Sequence, residues 1–231
     1  MMRELIENSA FLGVVITIGS FELGRAIRKK WNFALFNPLL LAILFSIGVL
    51  LLFRIDYGSY LNGAKYINFL LTPATVCLAI PLYKQLELLK RNLTAGATAI
   101  TAGVIGSVVS VYVMSMVFKL EHVHYVSLLP KSITTAIGMG VSEEAGGIVT
   151  MTIVSIIITG ILGNIVADGW FKLIGIKEPI AKGLALGTSA HAIGTAKALE
   201  LGEVEGAMSS LSIAVAGLMT VVSVPIMSGL I

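Results

Sequence analysis

Two stretches of this sequence carry residue types and spacings suited to holding a small anion. Thr72 precedes Pro73, with Thr75 close behind, which reads as an N-cap followed by proline at the first helical position. Proline loses nothing there, because the first N–H groups of a helix have no internal partner. Gly187-Thr188-Ser189 offers a similar opening, a flexible glycine ahead of two hydroxyl residues. Each stretch would start a half-helix with free N–H groups and a partial positive charge. Two such starts facing each other suit a carboxylate. The plainer reading is a proline kink and a Gly-rich packing seam.

His191 follows the second opening, with Gly194 and Thr195 completing a small polar lining and Lys197 nearer the segment end. An imidazole titrates near neutral pH, so His191 is also a candidate for proton coupling, the alternative being a histidine satisfied by a carbonyl. Ser142-Glu143-Glu144, ahead of Gly146-Gly147, forms a third polar group. Adjacent carboxylates point to different helix faces and make a poor acid–base pair. Gating or ion coupling fits Ser142, Glu143 and Glu144 better, and a loop near water fits them equally. No spacing matches a metal site, a phosphate loop or a catalytic triad, so neither an enzyme nor a cofactor is expected. The lone Cys77 allows no internal disulfide.

The elements that must position these residues are membrane helices. Hydrophobic residues make up 56% of the 231 and charged residues 13%, a balance outside that of soluble domains. A mean hydropathy of +0.94 agrees. Each helical crossing takes roughly 20 apolar residues. The expected fold is therefore an all-α integral membrane protein, a single polytopic domain over 1–231 with about seven to eight membrane segments. The first apolar run, about 6–24, reads as a retained helix rather than a cleaved signal. Basic clusters such as Arg25, Arg28, Lys29 and Lys30 serve as orientation signals, and no nucleic-acid partner is implied.

The region 119–147 is too polar for a plain lipid-facing helix. Treating it as re-entrant places ten of the sixteen Lys and Arg residues on the cytoplasmic side, including Lys84 and Lys172. Glu203 then falls outside. Two segments, about 66–83 and 183–199, read as broken helices, each followed by a similar apolar helix. Their order suggests inverted repeats, about 36–118 and 148–231, a recurring plan of secondary transporters.

Several longer runs resemble the LrgB/CidB family. They are Thr72-Pro73-Ala74-Thr75-Val76, Gly140-Val141-Ser142-Glu143-Glu144, Gly183-Leu184-Ala185-Leu186-Gly187-Thr188-Ser189, His191-Ala192-Ile193-Gly194-Thr195-Ala196 and Glu203-Val204-Glu205-Gly206-Ala207-Met208-Ser209-Ser210. Ala145-Gly146 departs from the pattern, where a bulkier apolar residue is expected. The resemblance implies a holin-like or antiholin-like protein that modulates murein hydrolases and autolysis with a small LrgA/CidA-type membrane partner. Its plant relatives imply carriage of glycolate and glycerate, and bacterial ones pyruvate. Taken with the residues, the expectation is a multi-pass protein of the plasma membrane, a homodimer or higher homo-oligomer. Its expected substrate is a small monocarboxylate, held by Thr72, Pro73, Thr75, Thr188, Ser189, His191, Gly194 and Thr195.

Overall fold

Long apolar runs leave the backbone no partner in lipid but itself, so they close as helices. The computed structural model describes residues 11–31 and 36–231, and the side chains of Leu71, Thr72, Thr75, Pro81 and Leu82 lie outside that description. Every regular element among the described residues is a helix. The chain divides into two compact units, residues 1–77 and 78–231, each described by itself.

The first unit holds α1 (Leu12–Lys30), α2 (Pro38–Leu52), α3 (Tyr57–Phe69) and α4 (Leu71–Cys77). Asn37 caps α2 by accepting from the Leu39 N–H at 2.9 Å, with Pro38 at the first helical position. Helices α1 and α3 approach so closely at Gly13 and Gly63 that a Cβ on either would strike backbone. Thr17 and Tyr60 join their hydroxyls beside that contact, 2.9 Å apart. The expected cap at Thr72 is not where α4 begins. Leu70 closes α3 and α4 starts at Leu71, so Thr72 and Pro73 fall inside its first turn. Proline is tolerated there for the reason anticipated, since no hydrogen bond is lost.

The second unit holds α5 (Ala79–Lys84), α6 (Leu86–Arg91), α7 (Leu93–Phe118), α8 (His122–Leu128), α9 (Thr135–Glu144), α10 (Val149–Leu173), α11 (Pro179–Leu201) and α12 (Glu203–Ser228). Three of them, α7, α10 and α12, are long and apolar enough to cross a bilayer. Val104, Val108 and Val111 of α7 pack with Tyr125, Leu184 and Met208 into the main core.

Between α7 and α10 the chain folds as a helical hairpin. Arm α8 runs back along α7, with Tyr125 against Tyr112 and then Ser132 bonded to Ser107 near the middle of that helix. Residues 129–134 turn the chain, and α9 returns along α10. Gly138 meets Ile156, and Ser142 bonds to Thr152 at 2.7 Å. This is the geometry that a re-entrant segment over 119–147 requires.

Helix α11 is a second hairpin rather than a crossing. Gly183 abuts Glu205 and Gly187 abuts Ser209, so residues 179–190 run alongside α12 in the same direction. After His191 the pairing reverses, with Thr195 bonded to Ser209 and Leu199 against Gly206. Gly194 lies on Leu186 and Ala190, a contact that only a folded-back chain allows. The turn meets α10 near its middle, at Gly160 and Gly163. Lys172 and Glu203 therefore sit at the same end of the long helices, which corrects the expectation of Glu203 on the opposite side. Residues 179–201 go in and come back, so they cannot carry the chain across.

Candidate functional site

The two hairpin turns meet the same stretch of the long helices. On α10, the carbonyl of Ile156 bonds to His191 Nε2 at 3.0 Å, while its side chain packs where a Cβ on Gly138 would stand. On α7, Gly103 faces Thr188 and Ser107 faces Ser132. Those two positions are one helical turn, about 6 Å, apart.

His191 forms the second turn. Its backbone stands at φ 43 and ψ −133 inside an otherwise helical segment. That conformation costs a non-glycine residue about 1–3 kcal/mol and persists only where the surroundings enforce it. The side chain is buried. A carbonyl can only accept, so Nε2 carries a proton, and in the neutral ring Nδ1 is then the acceptor edge.

The break therefore falls at His191 and not at Gly187-Thr188-Ser189. Thr188 Oγ1 donates back to the Leu184 carbonyl at 2.7 Å and Ser189 Oγ to that of Ala185 at 2.6 Å. Hydroxyls that bond back to the preceding turn continue a helix instead of capping a new one. Both residues lie in the last turn of the ingoing arm. Thr195 Oγ1 bonds the His191 carbonyl at 3.0 Å and Ser209 at 2.7 Å, pinning the returning arm to α12. Gly194 permits the close approach of the two arms.

The structure thus gathers Thr188, Ser189, His191, Gly194 and Thr195 around one turn. Ser142 is buried on the first hairpin, its hydroxyl 2.7 Å from that of Thr152. Glu143 and Glu144 are exposed at that hairpin's open end. Thr72, Pro73 and Thr75 belong to the first unit, and the side chains of Thr72 and Thr75 are outside the described residues.

A cavity of about 700 Å³ lies between α7, α10 and the ingoing arm of α11. It runs from Asn92 and Glu178 at one end, past Trp170, to Gly103, Thr188 and Ser189 at the turn. One residue that sequence reasoning left out of the site stands a turn beyond its deep end. Lys131, in the first hairpin's turn, donates to Ser132 Oγ at 3.2 Å and to Ser107 Oγ at 3.4 Å. Pro130-Lys131 beside a charged stretch reads as loop, and only the fold of α8 onto α7 carries it to the middle of that helix.

Three long apolar helices with two helical hairpins folded between them define a helical membrane protein. The chain belongs to the LrgB family, since the sequence model of the LrgB-like family matches residues 17–230. It is 39% identical to "Antiholin-like protein LrgB" of Bacillus subtilis (strain 168), over 96% of this chain and 97% of that one. It is 38% identical to "Holin-like protein CidB" of Staphylococcus epidermidis (strain ATCC 12228 / FDA PCI 1200), over 98% of each. The family resemblance carried by the motifs is thereby established. No solved structure matches the chain.

Proposed function

We propose that this protein carries small monocarboxylate anions, of the glycolate, glycerate, pyruvate or lactate type, across the plasma membrane. One observation supports the reading above all others: two hairpins folded back from opposite ends of the long helices turn within one helical step of each other. In a hydrocarbon core about 30 Å thick those turns fall near the midplane, where carriers hold their solute. A pore lined by plain helices needs no such construction. Helix α7 with the first hairpin and α10 with the second form an inverted pair, over 93–147 and 149–201. These boundaries differ from the repeats at 36–118 and 148–231 that the sequence suggested.

Lys90, Arg91, Lys172, Lys177 and Lys182 gather at one end of the long helices, and Lys119 lies at the other. Basic residues favour the cytoplasm, so the cavity reaching Thr188 and Ser189 opens inward. A homodimer or higher assembly and a small LrgA/CidA-type partner belong to the same proposal.

The relatives' names favour a second reading, a holin-like or antiholin-like protein, for which the family resemblance implies action on murein hydrolases and autolysis. Proteoliposomes separate the two. A carrier gives saturable uptake of labelled pyruvate that excess lactate inhibits, with an entrapped dye retained. Dye release without saturable uptake would replace the carrier reading with the second.

A further inference from the structure

We infer that Lys131 holds the carboxylate of a small monocarboxylate, together with the Ser107–Ser132 hydroxyl pair and the start of α9; the inference rests on the carrier reading above. The ammonium has three donors, and both of its partners are neutral hydroxyls. No described carboxylate pairs with it. Lys197, the other lysine drawn into the helix packing, is served differently, with Asp168 at 2.8 Å and Glu200 at 3.7 Å. A cation at membrane depth is costly without a counter-charge. For Lys131 the chain supplies none, so a ligand must.

A second feature points the same way. Helix α9 begins at Thr135, and Thr134 ahead of it makes no side-chain cap bond. The first N–H groups of α9 have no partner within the helix and present a partial positive charge. They start four residues after Lys131, in the same turn. Ser107 Oγ donates to Ser132 Oγ at 3.0 Å, which leaves the Ser132 hydroxyl to donate to an anion. The turn thus offers one whole positive charge, one partial charge and one neutral donor. A single carboxylate balances that inventory. A second carboxylate on the same ligand would bring a charge with no counterpart, so dicarboxylates are rejected. The approach lies one turn back along α7, where Gly103 lines the cavity.

The test is equilibrium binding of radiolabelled lactate to the purified full-length protein, with chloride, phosphate and succinate as competitors at matched ionic strength. The wild type should bind lactate saturably, and pyruvate should compete where succinate, phosphate and chloride do not. Lys131→Met should weaken binding at least about tenfold, as expected for loss of a charge-assisted bond. Lys131→Arg should keep most of it, and Ser107→Ala should lose roughly threefold or more. Helix content and a monodisperse elution profile check folding. Should Lys131→Met fail there, Ser107→Ala and Lys131→Arg decide.

Wild-type affinity in a folded Lys131→Met, or no lactate binding by the wild type, overturns the inference. Saturable pyruvate uptake that Lys131→Met leaves unchanged would remove the site and keep the carrier. Lysine-dependent lactate binding in a protein that only leaks dye would keep the site and remove the carrier.

Discussion

The two hairpins solve the same geometric problem with different materials. The first turns through six residues, 129–134, and its arms are tied by hydroxyls. Ser127 Oγ accepts the Ile148 N–H at 2.6 Å, and Thr152 Oγ1 donates to the Ser127 carbonyl at 2.8 Å. The second turns on one residue, His191; close approach at Gly183, Gly187 and Gly194 seats its arms, and one hydroxyl pair, Thr195–Ser209, pins the returning arm. A hydrogen-bonded hairpin can accommodate a long polar turn and so bring a lysine inward. A hairpin packed through glycines has no room for that, and its turn is short and strained. Charge is delivered by the first hairpin and shape by the second.

The sharpest way to break this comparison is to add volume to the second hairpin. A Cβ at Gly187 would meet the Ser209 carbonyl and Ser212, and backbone cannot move aside as a flexible side chain can. Gly187→Val should cost about 3 kcal/mol or more. A large fall in the midpoint of thermal unfolding in detergent would show it. A valine at Gly106, where nothing lies within 4 Å, is the control expected to change little. Equal behaviour of the two variants would mean that glycine packing does not hold the second hairpin.

For the first hairpin the matching change is Ser127→Ala. It leaves the Ile148 N–H without its acceptor beside the buried Thr152. An orphaned donor of this kind costs about 1–3 kcal/mol. The same unfolding measurement should place this variant between the wild type and Gly187→Val. A loss larger than that of Gly187→Val would mean that hydrogen bonding at the first hairpin outweighs close packing at the second.

The ion pair between α10 and the returning arm is the next step down. Lys197 lies 2.8 Å from Asp168, but the Asp168 side chain is 48% exposed, and solvent screening discounts the pair. Glu200 also remains within 3.7 Å of the lysine. Asp168→Asn should therefore cost about 1 kcal/mol, not the several that breaking a fully buried pair would. Stability that rises in 1 M salt for the wild type would contradict this account, because screening weakens such pairs.

Much of this architecture was legible, and the failures have physical causes. Apolar runs over 93–118, 148–171 and 207–231 marked three crossings, because length and hydropathy alone decide what can span a bilayer. The polar content of 119–147 marked a segment that could not face lipid. The glycines of 183–199 marked a broken helix, but the break was set at Gly187-Thr188-Ser189 rather than at His191, and the segment was read as continuing across the membrane. Histidine is enriched at positive φ but still uncommon there, so its residue type alone does not mark the turn. The hydroxyls of Thr188 and Ser189 looked like caps because sequence does not show whether they bond forward or back. Lys131 was passed over for a related reason: its importance comes from meeting Ser107, a contact across the chain that no local spacing encodes.

The smallest effect separates the backbone of His191 from its ring. Both His191→Ala and His191→Gly remove the bond to the Ile156 carbonyl, so both lose about 1 kcal/mol on that account. They differ in the turn itself. Alanine keeps a Cβ at φ 43 and with it the strain, whereas glycine adopts positive φ at no steric cost. Against that gain stands the larger unfolded-state entropy of glycine, about 0.4–1 kcal/mol. The strain of a non-glycine residue in such a region is about 1–3 kcal/mol, so the balance favours glycine. His191→Gly should accordingly unfold at a temperature no lower than His191→Ala, and about 1 kcal/mol of stability should separate them. The comparison is made between two variants lacking the same ring, which removes the hydrogen bond from the difference. A clearly less stable His191→Gly would mean that the turn is not held in positive φ, and that the second hairpin closes by some other bend.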